Sequence, residues 1–275
     1  MQEKLAFLRE HKPFALYSLL VTVVVLLAIL APYLTPYDPM AGDMKNSLQT
    51  PSIDHLMGTD KLGRDTFSRI IAGTQVSLFM TITLVILVAL VGSIVGIVSG
   101  YFGGKIETVL MRFADMMLAF PGVVLAIAIA GILGGSIVNT ILALLVVAWA
   151  KYARLVRSLV IKLRHSDFIT AAKVNGAKTK DILTRHILPN ILPMVVITGA
   201  MDIGTMMMEI AGLSFLGFGA QPPTPEWGLM LNEGRQYIQT APHLMLYPGF
   251  AIFIVVAIFN LWGDALRDVL DPRHE

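Results

Sequence analysis

Two stretches of this chain, Pro13 to Tyr37 and Ile70 to Gly104, contain no charged residue. A helix needs about 20 mostly apolar residues to cross the hydrocarbon core of a bilayer, so each run holds one span. The first is too long for a signal-peptide core and lacks a small-residue cleavage site before Pro32, so it reads as a retained helix. The composition agrees. Hydrophobic residues make up 55% of the 275, mean hydropathy is +0.70, and charged residues reach 15%, where a soluble domain carries about a quarter. A net charge of +2 with scattered basic residues excludes a nucleic-acid stripe. The lack of cysteine excludes a disulfide scaffold, thiolate zinc sites and a cysteine nucleophile.

The remaining hydropathy divides into four more spans. The first helix covers 14–34, and the second occupies roughly 76–100. A long apolar region between Asp115 and Lys151 is interrupted at Gly134 to Ser136. A turn there yields a third span starting near Thr108 and a fourth ending near Leu155. A fifth runs from about Asn190 to Leu216 and a sixth from about Leu244 to Trp262. The expected protein is an all-α integral membrane protein of six transmembrane helices. Its segments are an N-terminal piece 1–13, an extracytoplasmic piece 35–75, a core 76–265 and a tail 266–275. Within the core lie a cytoplasmic loop 156–190, between the fourth and fifth helices, and an outer loop 217–243. With both termini cytoplasmic, 16 of the 21 Lys and Arg residues fall inside and five outside, the orientation that the positive-inside rule favours.

The loop contains an unusually polar stretch for so oily a chain, "SDFITAAKVNGAKTKDILTRHILPNILP", residues 166–193. Asp167 is placed to cap a short helix, "FITAAKV", and Asn175-Gly176 to end it, since both tolerate positive φ. A second helix, "KTKDILTRHIL", is expected to stop at Pro189. Phe168, Ile169, Ala172 and Val174 then form an apolar surface that lipid cannot cover. The residues leave two readings open: a helix lying on anionic headgroups, or a docking helix for a soluble partner, with Ala171 and Ala172 permitting close approach.

This stretch resembles the cytoplasmic coupling loop of permease subunits in binding-protein-dependent ABC importers. The resemblance is carried by Thr170, Ala171, Ala172, Gly176, Ile187, Leu188 and Pro189, with Thr170 standing where the family has Glu. Three further segments are similar to the dipeptide, oligopeptide and nickel group of these permeases, and to the second of their two permease subunits. They are "HLMGTDKLGRDTFSRIIAGTQVSL" (55–78), "LSFLGFGAQPPTPEWGLMLNEGR" (213–235) and "FNLWGDALRDVLDPR" (259–273). The resemblance implies a homologous second permease subunit, two ATPase subunits that bind ATP and Mg, and an extracytoplasmic substrate-binding protein, all in a bacterial or archaeal inner membrane. It implies a substrate among nickel, metal–chelator complexes and short peptides, with the coupling residues inserted into a groove on the ATPase.

Local chemistry is consistent with that picture. Gly58, Gly63, Asp60 and Asp65 suit a tight outer turn leading to Arg64 and Arg69 as basic anchors. "QPPTPEWG" reads as a rigid outer loop with Trp227 at the membrane surface. His55, Asp54 and Asp60 superficially suggest a metal site, but no ligand spacing supports one. "SGYFGGKIE" fails the phosphate-loop pattern at both ends, and no HExxH or GxSxG occurs, so the chain carries no catalytic residues, cofactor or metal of its own.

The fifth span holds two acids, Asp202 and Glu209, seven residues apart and therefore on one helical face with Thr205 and Met206. Acids at membrane depth line a path or bond to neighbouring helices, and methionine either lines or merely fills. Pro121 is expected to bend the third span. An ion-gradient-driven secondary transporter, with Asp202 or Glu209 carrying protons, is the competing reading, and a membrane-anchored scaffold a third.

Overall fold

The computed structural model describes residues 12–270. The expected N-terminal segment 1–13 thus lies almost entirely outside the described residues, as does the tail beyond Leu270. Among the described residues the regular elements are helices, with one isolated bridge between Thr59 and Asp65. Those of eight residues or more are α1 (Lys12–Leu34), α2 (Thr66–Phe102), α3 (Gly104–Ala119), α4 (Gly122–Leu133), α5 (Ile137–Arg164), α6 (Asp167–Val174), α7 (Leu188–Phe215), α8 (Trp227–Gly234) and α9 (His243–Leu270). By length and apolarity α1, α2, α9 and the helix ending in α7 can cross a membrane, and the α3–α4 pair makes a fifth if counted as one broken span. The 28-residue α5 is as long as α7 and α9 but carries five basic residues from Lys151 onward.

Local chemistry explains most boundaries. Asp65 caps α2, its side chain accepting from the Ser68 N–H, so this helix starts ten residues before the expected span. Gly103, at φ 68°, separates α2 from α3. Phe120 is extended, as a residue before proline must be, and Pro121 starts α4 in a new direction. The two helices meet at 93°, a sharper break than a proline kink. The turn expected at Gly134 to Ser136 lies between α4 and α5, with the Ser136 hydroxyl accepting from the Asn139 N–H.

Two expectations for the polar stretch are corrected. Ser166, not Asp167, sits at the cap of α6 and makes no side-chain capping bond, while Asp167 is the first helical residue. Nor does Pro189 end the second helix. Thr179–Asp181 leads through a π-helical segment, Ile182–Ile187, straight into α7. The wider π turn and the position of Pro189 at the start of α7 remove the clash that an interior proline brings. The carbonyl of His186 is taken by the Asn190 side chain at 2.6 Å.

The core forms two packed regions. One joins α2, α5 and α7 through Leu84, Val88, Tyr152, Val156, Ile191 and Met206, and the other joins α1, α2, α7, α8 and α9 through Ala28, Leu78, Met207, Trp227 and Phe259. The α2–α5 crossing is close because Gly92, Gly96 and Gly100 face α5. A Cβ on them would lie 2.4 Å from Tyr152 Cβ, 2.7 Å from the Ala153 carbonyl oxygen and 2.9 Å from Val160 Cβ. Such small-residue stripes let helix backbones approach where lipid offers no hydrophobic drive.

Candidate translocation and coupling sites

Asp202, Thr205, Met206 and Glu209 line one cavity of about 180 Å³, as their shared face requires. Leu144, Val147, Ala148 and Lys151 of α5 form the opposite wall, and Leu118 and Gly122, on either side of the α3–α4 break, complete it. The bend at Pro121 therefore shapes the cavity. Lys151 Nζ donates to both carboxylate oxygens of Asp202, at 2.7 and 2.9 Å. Its side chain is 58% exposed, whereas that of Asp202 is 8% exposed. The buried Tyr152 hydroxyl lies beside Asp202 without reaching hydrogen-bonding geometry.

Lys151 was not among the expected site residues, because its charge marks it as the start of the loop. Helix α5 instead continues for 13 residues past it, and Asp202 is 14 residues into α7. Both charges therefore sit about 20 Å of helix from the ends of α5 and α7 that flank the 165–187 segment. A lone lysine after an apolar run, with an acid in a neighbouring span, was the available signal.

The expected coupling residues divide into two groups. Ile187 is buried, together with Ile169 and Ile182, and anchors the loop beneath the bundle. Thr170, Ala171, Gly176, Leu188 and Pro189 are exposed, and Ala172 is half-buried. Phe168 and Val174 also present open apolar side chains. Helix α6 ends in a Schellman turn, with Ala177 N–H donating to the Ala172 carbonyl and Gly176 N–H to that of Lys173, both at 3.0 Å. Gly176 has φ 78°, while nothing lies within 4 Å of where its Cβ would be. Its requirement is conformational rather than steric.

On the other side of the bundle, the expected surface anchors turn out to be internal. Arg64 and Arg69 are both 1% exposed. Arg64 Nε donates to Asp60 at 2.5 Å and its Nη2 to both Glu233 oxygens at 2.9 Å; Arg69 donates to Glu233 at 3.0 Å and to the carbonyls of Pro39 and Pro223. Buried arginines persist only when paired in this way. The network ties the segment before α2 to α8. Trp227 is likewise buried, donating its Nε1–H to the Ile70 carbonyl at 3.0 Å and filling the space left by Gly73. Glu226 caps α8 through the N–H groups of Gly228 and Leu229. Burial pushes its carboxyl above the usual carboxylate range, and those backbone donors pull it back. The His55–Asp54–Asp60 grouping is spent on other partners: His55 bonds Asp65 at 2.9 Å and Asp60 holds Arg64.

Residues 92–275 match the family described as binding-protein-dependent transport system inner membrane component, and residues 2–51 match the N-terminal TM domain of oligopeptide transport permease C. The nickel transport system permease protein NikC of Escherichia coli K12 is 42% identical over 267 residues, 97% of this chain and 96% of that protein. The dipeptide transport system permease protein DppC of Alkalihalophilus pseudofirmus is 44% identical over 266 residues, 97% and 88% of the two chains. The glutathione transport system permease protein GsiD of Pectobacterium atrosepticum is 42% identical over 268 residues, 97% and 89%. In fold, the chain is similar to the inward-facing MetNI methionine ABC transporter, with TM-score 0.59 at 20% identity, covering 74% of this chain and 97% of that one. With a matching family over two thirds of its length and such relatives over nearly all of it, this chain belongs to the inner-membrane permease components of binding-protein-dependent ABC importers.

Proposed function

We propose that the chain forms one half of an importer's translocation path, with the Lys151–Asp202–Glu209 cavity as a station on it. One observation carries this: four residues chosen from sequence for a shared helical face line one cavity, with a lysine from another helix. Lys151 offsets Asp202, so Glu209 leaves the cavity with a surplus of negative charge. That favours cargo bearing a positive group, such as a nickel ion, a metal–chelator complex or the ammonium end of a short peptide. The relatives named for nickel, dipeptide and glutathione transport support this range. A homologous second permease closes the path, an extracytoplasmic binding protein delivers the cargo, and two ATPase subunits bind ATP and Mg. Thr170, Ala171, Ala172, Gly176, Leu188 and Pro189, held up by buried Ile187, receive the motion of those ATPases. Both termini are cytoplasmic in this arrangement.

The experiment is uptake by the assembled importer with labelled nickel, a nickel chelate and a short peptide, comparing Asp202→Asn and Glu209→Gln with the unaltered chain. Reduced uptake of one cargo class by Glu209→Gln at unchanged complex yield is the expected result. Full uptake of every cargo by both variants, singly and together, removes the carboxylates from the path.

A further inference from the structure

A second, larger hollow lies on another side of α7. Met208, Gly212 and Phe215 of α7 face Gly249 and Phe253 of α9, with Leu231 of α8 closing one end, around a groove of about 580 Å³. At 3.6 residues per turn this face of α7 is turned about 120° from the face bearing Asp202, Thr205, Met206 and Glu209. The groove therefore opens away from the cavity that a second permease has to complete. Two glycines make it. A Cβ on Gly212 would meet nothing within 4 Å, and one on Gly249 only Leu231 Cδ2 at 3.9 Å, so the space is open from both helices.

The lining is apolar, and one charge stands beside it, over Phe215. Arg235, exposed and immediately after α8, holds its guanidinium 5.6 Å from the centre of the Phe215 ring. Among the described residues no carboxylate lies within ion-pairing distance of it, so its charge is free to meet a partner from outside the chain. An apolar groove at membrane depth with an unpaired guanidinium at its outer end has the charge and polarity order of a phospholipid. Guanidinium groups bind phosphate through paired hydrogen bonds, and a helix surface shortened by glycine leaves room for a chain.

We propose that this groove holds one phospholipid, its acyl chain between Gly212 and Gly249 and its phosphate on Arg235. The lipid fills the gap between the outer halves of α7 and α9, and so stiffens α7 on a face turned about 120° from the cargo cavity.

Native mass spectrometry of the delipidated, assembled complex, titrated with phosphatidylglycerol, tests this. The expected result is one phospholipid retained per copy of this chain. Arg235→Gln should weaken retention about tenfold or more, through loss of the paired, charge-assisted hydrogen bonds to the phosphate. Gly212→Leu and Gly249→Leu, which the open space accommodates, should abolish retention while leaving the complex assembled. Equal retention in all three variants overturns the proposal. So does disulfide crosslinking of Gly212→Cys to a cysteine scanned along the second permease, which would make the groove a subunit interface. If Gly212→Leu fails to assemble, Arg235→Gln decides alone, since its side chain is exposed and meets the Phe215 ring at the groove.

Discussion

Asp202 keeps both carboxylate oxygens on Lys151, so removing the ammonium strands a nearly buried charge. Lys151→Met should lower the yield of folded complex by a cost of about 2 kcal/mol or more, since an unpaired buried acceptor loses its full hydration. Adding Asp202→Asn should restore much of the yield, because the stranded charge is then gone. A thermal-shift and yield comparison of the single and double variants checks this. Gly73 makes a different kind of demand. A Cβ there would sit 2.7 Å from the Trp227 ring, so Gly73→Ala should displace the indole and cost roughly 1–3 kcal/mol, read as lower thermal stability of the complex. The sequence identified Asp202 and Glu209 through their rarity at membrane depth. It hid Lys151 because a basic residue after an apolar run also marks a span's end. Trp227 and the two arginines were misplaced for a related reason: residue types common at the membrane surface are equally at home inside when a glycine or a carboxylate receives them.

The elements were legible where periodicity and punctuation agreed. The Gly134 to Ser136 turn and the Gly176 turn came directly from residues that permit those conformations. The π segment was not legible, since Pro189 reads equally as a helix stop and as the start of a new helix that a π turn leads into. The Gly92, Gly96, Gly100 stripe was present in "GSIVGIVSG" and says which helix face meets a neighbour, though not that α5 is the neighbour. Helix α6 gives the sharpest element-level test. Gly176→Val should strain a left-handed turn by about 1–2 kcal/mol, tilt α6 and uncouple ATP hydrolysis from substrate while the membrane subunits still assemble. Gly176→Asn should be tolerated, because asparagine adopts that conformation more readily. Substrate-stimulated ATPase activity of the two variants separates strain from loss of space, and equal activity would mean the turn is not required.

At the scale of the whole molecule, topology and coupling stand or fall together. The chain has no cysteine, so single cysteines report cleanly. Ile53→Cys, at a position 96% exposed in the segment before α2, should react with an impermeant thiol reagent in intact cells, and Lys178→Cys beside α6 should not. The balance of basic residues predicted that orientation, and hydropathy predicted six spans, of which length and apolarity single out four among the described residues, or five with the broken α3–α4 pair. The fold adds that one of those spans is broken at 93° beside the cavity and that another carries its own lysine. In the proposed function this chain moves cargo only when ATPases drive it. The most direct measurement is cargo uptake into proteoliposomes holding the full complex and binding protein, with ATP supplied and all ion gradients collapsed by ionophores. Uptake should persist with ATP and stop without it; uptake that follows a proton or sodium gradient in the absence of ATP would make the chain an ion-gradient-driven transporter instead.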